Sequence, residues 1–268
     1  MIFEQSATNL SGKQHQSDFE RFLFHRQTEL MLDLIDPHAG ERVLHIGCGR
    51  GNYLQLFREK WCSVTGLDSS AEVLKIAKNR LAEKADLVWG QAEEAPFSDD
   101  EFDVVTLINF LEASRNPDQV IREAIRVCRG RVFIGFINNF SFAGTKQKLK
   151  EIFGFPLAKD IHFYRLAEIK SMVGRVISEP EFTWGSVIYF PRFVYSFFEE
   201  LEEALPLKNN PFGAFTGLVF PVKYTYCTVQ NPIINTFGVN RNAQPAAPGA
   251  AATCCTRHKN DSRGHSLR

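Results

Sequence analysis

The chain reads as an α/β protein built on a doubly wound, mostly parallel sheet of about seven strands with an antiparallel last strand. Three observations predict this. Short apolar runs alternate with amphipathic segments from residue 42 to residue 137, the rhythm of strand–helix–strand units. A glycine-rich turn, GCGRG at 47–51, follows directly on the first apolar run. Two late apolar runs, 182–190 and 218–226, flank a helix-like stretch and a Pro/Asn/Gly loop, a spacing that suits an antiparallel pair at a sheet edge.

Taken in order, residues 18–35 carry apolar side chains at 19, 22, 23, 30, 31, 34 and 35, a helical spacing, closed by Pro37 and Gly40. RVLHIG (42–47) is a buried strand and residues 52–60 a helix; SVTGLD (63–68) is the second strand. Ser69 and Glu72 form an S-x-x-E capping box that opens a helix to about Lys84. DLVWG (86–90) and FDVVTLINF (102–110) are the third and fourth strands. Asn116-Pro117 starts a helix with proline at its first position, running to about Cys128, and RVFIGFI (131–137) is the fifth strand. Helices are expected at 145–153 and 165–174.

Composition narrows the class. The 268 residues are 44% hydrophobic and 23% charged, with 31 basic and 31 acidic side chains and no net charge. That is a globular composition without the basic footprint of a nucleic-acid or membrane partner. Six cysteines, at 48, 62, 128, 227, 254 and 255, show no zinc-type spacing; they read as reduced thiols in a cytoplasmic protein with no metal site. The first residues lack the apolar core of a secretory signal, and no run is long enough to span a bilayer. Residues 236–268, rich in Ala, Pro, Gly and polar side chains, are expected to form a disordered tail. Residues 1–235 then make one domain, with 1–38 as an N-terminal helical cap that brings Phe19, Phe22 and Phe24 towards a ligand. The stretch 190–216, with Phe190, Phe193, Tyr195, Phe197, Phe198, Phe212 and Phe215, is a possible aromatic lid.

The glycine turn raises the question of its ligand. In an open α/β sheet ligands bind beyond the carboxyl ends of the strands. The spacing here is G-x-G-x-G, whereas a dinucleotide fingerprint needs a third glycine at 52, where the chain has Asn52. Gly47 and Gly49 still let a ligand lie on bare backbone. Asp68, ending the second strand, can accept hydrogen bonds from both hydroxyls of a ribose. Gln91 can accept from an adenine amino group, and the backbone N–H of Ala92 can donate to a ring nitrogen. Ile108, Asn109 and Phe110 leave the fourth strand under the ligand. Together these residues describe an adenosine held without a diphosphate.

VLHIGCGRGNYL, GLDSSAEVLKIA and GQAEEAPFSDDEFDVV together resemble the class I S-adenosylmethionine-dependent methyltransferase family, in its small-molecule branch with the A-E-x-x-P-F-x-D-x-x-F-D signature. The resemblance covers residues 40–137 and extends more weakly through 162–173. It implies a Rossmann-like seven-stranded sheet with strand seven antiparallel, S-adenosylmethionine as cofactor and a small-molecule methyl acceptor. It implies that Gly47, Gly49 and Gly51 contact the methionine part and the sugar, that Asp68 binds the ribose, that Gln91 and Ala92 hold the adenine, and that Asn109 lies under the methionine carboxyl or the sulfonium. Cys48, Ser69 and Glu93 belong to the same motifs and complete the cofactor set with His45. The chain departs from the family at His45 and Gln91, where acids are usual, and in the turn CRGR (128–131), shorter than the family's Pro-Gly-Gly turn. A lone histidine on an apolar strand is also a common core residue.

A sulfonium methyl is already activated, so transfer needs in-line placement more than acid–base groups. A base is required only where the acceptor loses a proton; the candidates are Glu112, His162 and Tyr164. Two other classes compete: a non-catalytic protein that binds S-adenosylmethionine or S-adenosylhomocysteine and acts through a partner, and a nicotinamide-dependent oxidoreductase, against which Asn52 speaks. A nucleic-acid methyltransferase is disfavoured by the neutral charge and by Asn109-Phe110-Leu111-Glu112, which is no Asn-Pro-Pro-aromatic motif.

Overall fold

A computed structural model describes residues 18–138, 162–189 and 207–222. The expected helix at 145–153, most of the 190–216 stretch, the tail, three of the cysteines and the Phe19 side chain lie outside the described residues. The elements are α1 (Asp18–Ile35), β1 (Arg42–Ile46), α2 (Asn52–Glu59), β2 (Ser63–Asp68), α3 (Ala71–Leu81), β3 (Asp86–Trp89), β4 (Phe102–Ile108), α4 (Pro117–Arg126), β5 (Cys128–Ile137), α5 (Leu166–Gly174), β6 (Thr183–Val187) and β7 (Phe215–Pro221). Single 3-10 turns lie at Ala92–Glu94 and Leu111–Ala113.

The seven strands form one sheet in the order β3-β2-β1-β4-β5-β7-β6. Strands β1 to β5 pair in parallel, and β7 runs antiparallel to both neighbours. The late pair does not simply extend the edge: β7 inserts between β5 and β6. Burial explains the choice. Six of the seven β7 residues are buried, which needs a partner on each side, whereas β6 begins with an exposed Thr183 and tolerates the edge.

Alternation along the strands divides the core between the two sheet faces. Val43 of β1, Val104 and Ile108 of β4 and Phe133 of β5 pack with Leu30, Met31 and Leu34 of α1, Leu54 and Phe57 of α2, and Leu74 and Leu81 of α3. On the other face Leu44, Ile46, Val105, Leu107 and Ile134 meet Val120, Ile121 and Ile125 of α4 and Ile169 and Val173 of α5. Phe22 and Phe24 belong to the α1 side of this core and do not reach the ligand cleft described below. The expectation that they close over a ligand is therefore corrected: Phe22 and Phe24 are spent on packing. At the opposite end from the cleft, Asp103 accepts from the backbone N–H of Arg42 at 2.9 Å and from Arg129 Nε at 2.7 Å.

Helix α3 starts one residue later than the motif suggested. Ser70, not Ser69, is the N-cap, and its hydroxyl accepts from the Val73 N–H at 3.4 Å. The Ser69–Glu72 box does not form, because the chain needs one more residue to turn out of β2. Ser69 is thereby left facing the cleft.

Candidate nucleoside cleft at the sheet rim

A cleft of about 300 Å³ opens beyond the carboxyl ends of β1 to β4, lined by Gly47, Leu67, Asp68, Ser69, Gly90, Gln91, Ala92, Glu93, Phe110, Ala113, Ser114 and Arg115. Its volume is at the small end of ligand pockets. Strand order places it: β1, β2, β3 and β4 are consecutive across the sheet, so their exits share one rim.

Gly47 has φ +71°, and a Cβ there would stand 2.2 Å from Cδ2 of Phe110. Only glycine suits both the left-handed backbone and this contact. Gly51, at φ +78°, does a different job: it precedes α2, and a Cβ on it would meet Leu81 at 2.6 Å. Its bare Cα lets α2 and α3 approach, away from the cleft.

Asp68 is 2% exposed. Its Oδ2 accepts from the Gly49 N–H at 3.0 Å and its Oδ1 from the Ser70 N–H at 2.9 Å. These bonds fix the carboxylate between the glycine turn and the α3 cap, and each oxygen keeps a lone pair for a ligand hydroxyl. Gly49 thus acts through Asp68 without lining the cleft itself.

The far wall is the segment after β3. Glu93 accepts from the Ser114 hydroxyl at 3.2 Å, and its carbonyl accepts from Gln119 Nε2 at 3.3 Å, joining the β3 and β4 exits. Arg126 secures the loop that follows, donating to the carbonyls of Ala95 and Phe97 at 2.9 and 2.8 Å and to the carboxylates of Glu123 and Asp99. The Glu123 hydrogen bond, opposed by some burial, pushes the Arg126 guanidinium to still higher pKa.

Of the positions expected to bind cofactor, the structure brings Gly47, Asp68, Ser69, Gln91, Ala92 and Glu93 to the cleft. His45, Cys48, Gly49, Gly51 and Asn109 do not line it. His45 is 1% exposed on the α1 face of β1, with Nδ1 2.8 Å from the hydroxyl of Thr106, its cross-strand partner. The Thr106 hydroxyl donates to the Leu44 carbonyl, so Nδ1–H donates to that hydroxyl. Its ring meets the Tyr53 ring edge-on at 5.4 Å, and Tyr53 in turn donates to Gln27 of α1. Burial drives the His45 pKa down to about 3; the ring is neutral and supplies no charge. Cys48 is buried beneath the turn, its sulfur 2.7 Å from where a Gly66 Cβ would stand. Asn109 is buried with φ +49°, and its Oδ1 has no partner among the described residues.

The three base candidates gather elsewhere, on the β5 side of the same rim. Glu112 is 1% exposed; Oε1 accepts from the Ile137 N–H at 2.8 Å, its carbonyl accepts from the His162 N–H at 3.0 Å, and Oε2 has no partner among the described residues. The His162 and Tyr164 rings meet edge-on at 4.6 Å. Burial first, then the nearby Glu112 charge, pushes the Tyr164 phenol up to about 12. Burial lifts the Glu112 carboxyl from 4.5 to about 7. A carboxyl raised in this way contributes stability that is complete below its unfolded value and is lost as pH rises through the folded one. Glu112→Gln keeps the acceptor for Ile137 and removes the charge. It is expected to flatten the stability profile between pH 4.5 and 8 and to exceed wild type at pH 8 by up to about 3 kcal/mol, as measured by urea unfolding across pH.

Sequence reading missed Ala113, Ser114 and Arg115, which line the cleft. The 3-10 turn at Leu111–Ala113 folds the chain after β4 back towards β3, and no motif announced it.

A glycine turn on β1, a buried carboxylate ending β2 and an amide side chain beyond β3, on a sheet with this strand order, define a class I S-adenosylmethionine-dependent methyltransferase. Comparison with known proteins agrees. A methyltransferase domain model matches residues 44–134. A ubiquinone biosynthesis O-methyltransferase of Photobacterium profundum is 30% identical over 167 residues, 56% of this chain and 70% of that protein. One from Aromatoleum aromaticum is 37% identical over 141 residues, 47% of this chain and 60% of that protein. The crystal structure of a SAM-dependent methyltransferase from Thermotoga maritima, described as a possible histamine N-methyltransferase, shares the fold with a TM-score of 0.59 at 19% identity, over 83% of this chain and 99% of that one. The chain belongs to the class I S-adenosylmethionine-dependent methyltransferase family.

The residues fit that cofactor. The cleft is lined by Gly47, whose missing side chain makes room for the Phe110 ring, and by a buried carboxylate at Asp68 with lone pairs to spare. No helix among the described residues is long and apolar enough to cross a membrane.

Proposed function

We propose that the protein transfers a methyl group from S-adenosylmethionine to an oxygen of a small phenolic or quinol-type acceptor. The single observation that carries cofactor use is Asp68, a buried carboxylate held by two backbone N–H groups at the centre of the cleft. The acceptor class is supported by the named activity of the ubiquinone biosynthesis O-methyltransferases that the chain resembles.

In this reading Asp68 takes the ribose hydroxyls, Gln91 and the Ala92 N–H hold the adenine, and Gly47 admits the amino-acid arm. The bound cofactor supplies an activated methyl on a positively charged sulfur. The chain's own contribution is to hold the two reactants in line, which is worth about 7 kcal/mol or more. Glu112, His162 and Tyr164 border the β5 side of the rim, where Glu112 ties the turn after β4 to Ile137 of β5 and to His162. We place the protein in the cytoplasm, in keeping with six scattered cysteines whose spacing suits reduced thiols rather than a disulfide framework.

Incubation with methyl-labelled cofactor and a panel of catechols and alkylated phenols tests the reading, and label is expected in an organic-extractable methyl ether. Binding of S-adenosylhomocysteine without label transfer to any acceptor, cell extract included, would favour a non-catalytic binding protein. The nicotinamide alternative is disfavoured by Asn52, the first residue of α2, where a dinucleotide fingerprint needs glycine.

A further inference from the structure

Phe110 is the aromatic side chain among the described residues that line the cleft. Its ring lies on the first glycine: a Gly47 Cβ would stand 2.2 and 2.8 Å from Cδ2 and Cε2. Gly47 leaves β1, Phe110 follows β4, and these strands are neighbours. The cleft therefore runs from Gln91 and Ala92 beyond β3, past Asp68 at the end of β2, to a corner floored by Phe110. With the base at one end and the ribose at Asp68, the charged sulfur falls at that corner.

Asp68 and Glu93 line the cleft, but the Gly49 and Ser70 N–H groups hold the first and the Ser114 hydroxyl the second, so neither carboxylate is free to swing onto the sulfur. His45, at the position where the family usually carries an acid, is buried against Thr106 and neutral. Arg115, the cation lining the cleft, sits exposed on its rim and repels rather than attracts. The face of an aromatic ring attracts a cation through its quadrupole and a neutral group much less.

We propose that Phe110 is a specificity-determining residue whose ring favours the positively charged methyl donor over its neutral demethylated product. The proposal rests on the methyl-transfer reading above. Its consequence is that the ring contributes to binding of the donor and little to binding of the spent thioether.

Calorimetric titration of the full chain with S-adenosylmethionine and with S-adenosylhomocysteine tests it in wild type, Phe110→Leu and Phe110→Tyr. In Phe110→Leu the affinity for S-adenosylmethionine is expected to fall about three- to thirtyfold and that for S-adenosylhomocysteine by less than about twofold. Phe110→Tyr, which keeps the ring, is expected to keep the wild-type ratio. Equal losses for both ligands in Phe110→Leu, or no loss for either, would overturn the proposal. Should thermal melting show Phe110→Leu unfolded, Phe110→Met replaces it with the same expected and contrary results. Failure of both ligands to bind wild type counts against the methyl-transfer reading itself.

Discussion

Asp68→Ala is expected to weaken S-adenosylhomocysteine binding by at least about 100-fold. Hydrogen bonds to a charged acceptor contribute about 1.5–3 kcal/mol each. A ribose offers two hydroxyls, and every 1.4 kcal/mol is about tenfold in affinity. The substitution also strips the Gly49 and Ser70 N–H groups of their acceptor, at about 1–3 kcal/mol each where they stay buried. Thermal melting should therefore fall by several degrees while the fold persists, since the strands that flank Asp68 are anchored by their own ladders. Asp68→Asn separates the two effects. One amide oxygen still accepts, but the NH2 must face a backbone N–H. Its binding is expected to lie between wild type and Asp68→Ala. Calorimetry showing wild-type affinity in Asp68→Ala would remove the carboxylate from the site.

Gly47→Ala is expected to lose both stability and cofactor affinity. A residue with a Cβ at φ +71° sacrifices about 1–2 kcal/mol of backbone energy. The new methyl would also overlap the Phe110 ring, and relief of such overpacking costs about 1–3 kcal/mol. Phe110 is partly exposed, so its ring yields by moving into the cleft, where it takes the space of the ligand. A double-mutant cycle with Phe110→Ala exposes this route. If the ring is what the methyl strikes, Gly47→Ala destabilises the Phe110→Ala background by the backbone component alone. Equal destabilisation in both backgrounds, by urea unfolding, would show that the contact carries none of the effect.

Local chemistry made much of this legible. Strand–helix alternation and the glycine turn fall where the ladder places them, because parallel strands buried on both faces read as apolar runs. Asp68, Gln91 and Ala92 reach one cleft because strand exits, unlike loops, are located by topology. The insertion of β7 was not readable: the late strand was expected at 218–226 with Phe215 in a lid, whereas β7 is Phe215–Pro221 with Phe215 buried in the core, and its place between β5 and β6 is decided by packing across the sheet. The α3 cap slipped by one because Ser69 and Ser70 are equally good caps and the exit of β2 chose between them. His45 looked like a cofactor position from its motif, yet a cross-strand Thr106 and Tyr53 claim its ring from the α1 side. Strand alternation carried that answer, since Val43 and His45 point to one face and Leu44 and Ile46 to the other. Glu112 is the reverse case, a charged letter in an apolar context whose burial against Ile137 only the fold reveals.

The central claim is that the cleft at the sheet rim fits one nucleoside with an amino-acid arm. Calorimetric titration of the full chain with S-adenosylhomocysteine and, separately, with NADH tests it most directly. Saturable heat at one ligand per chain is predicted for S-adenosylhomocysteine and none for NADH. Saturation by NADH with no heat from S-adenosylhomocysteine would contradict it.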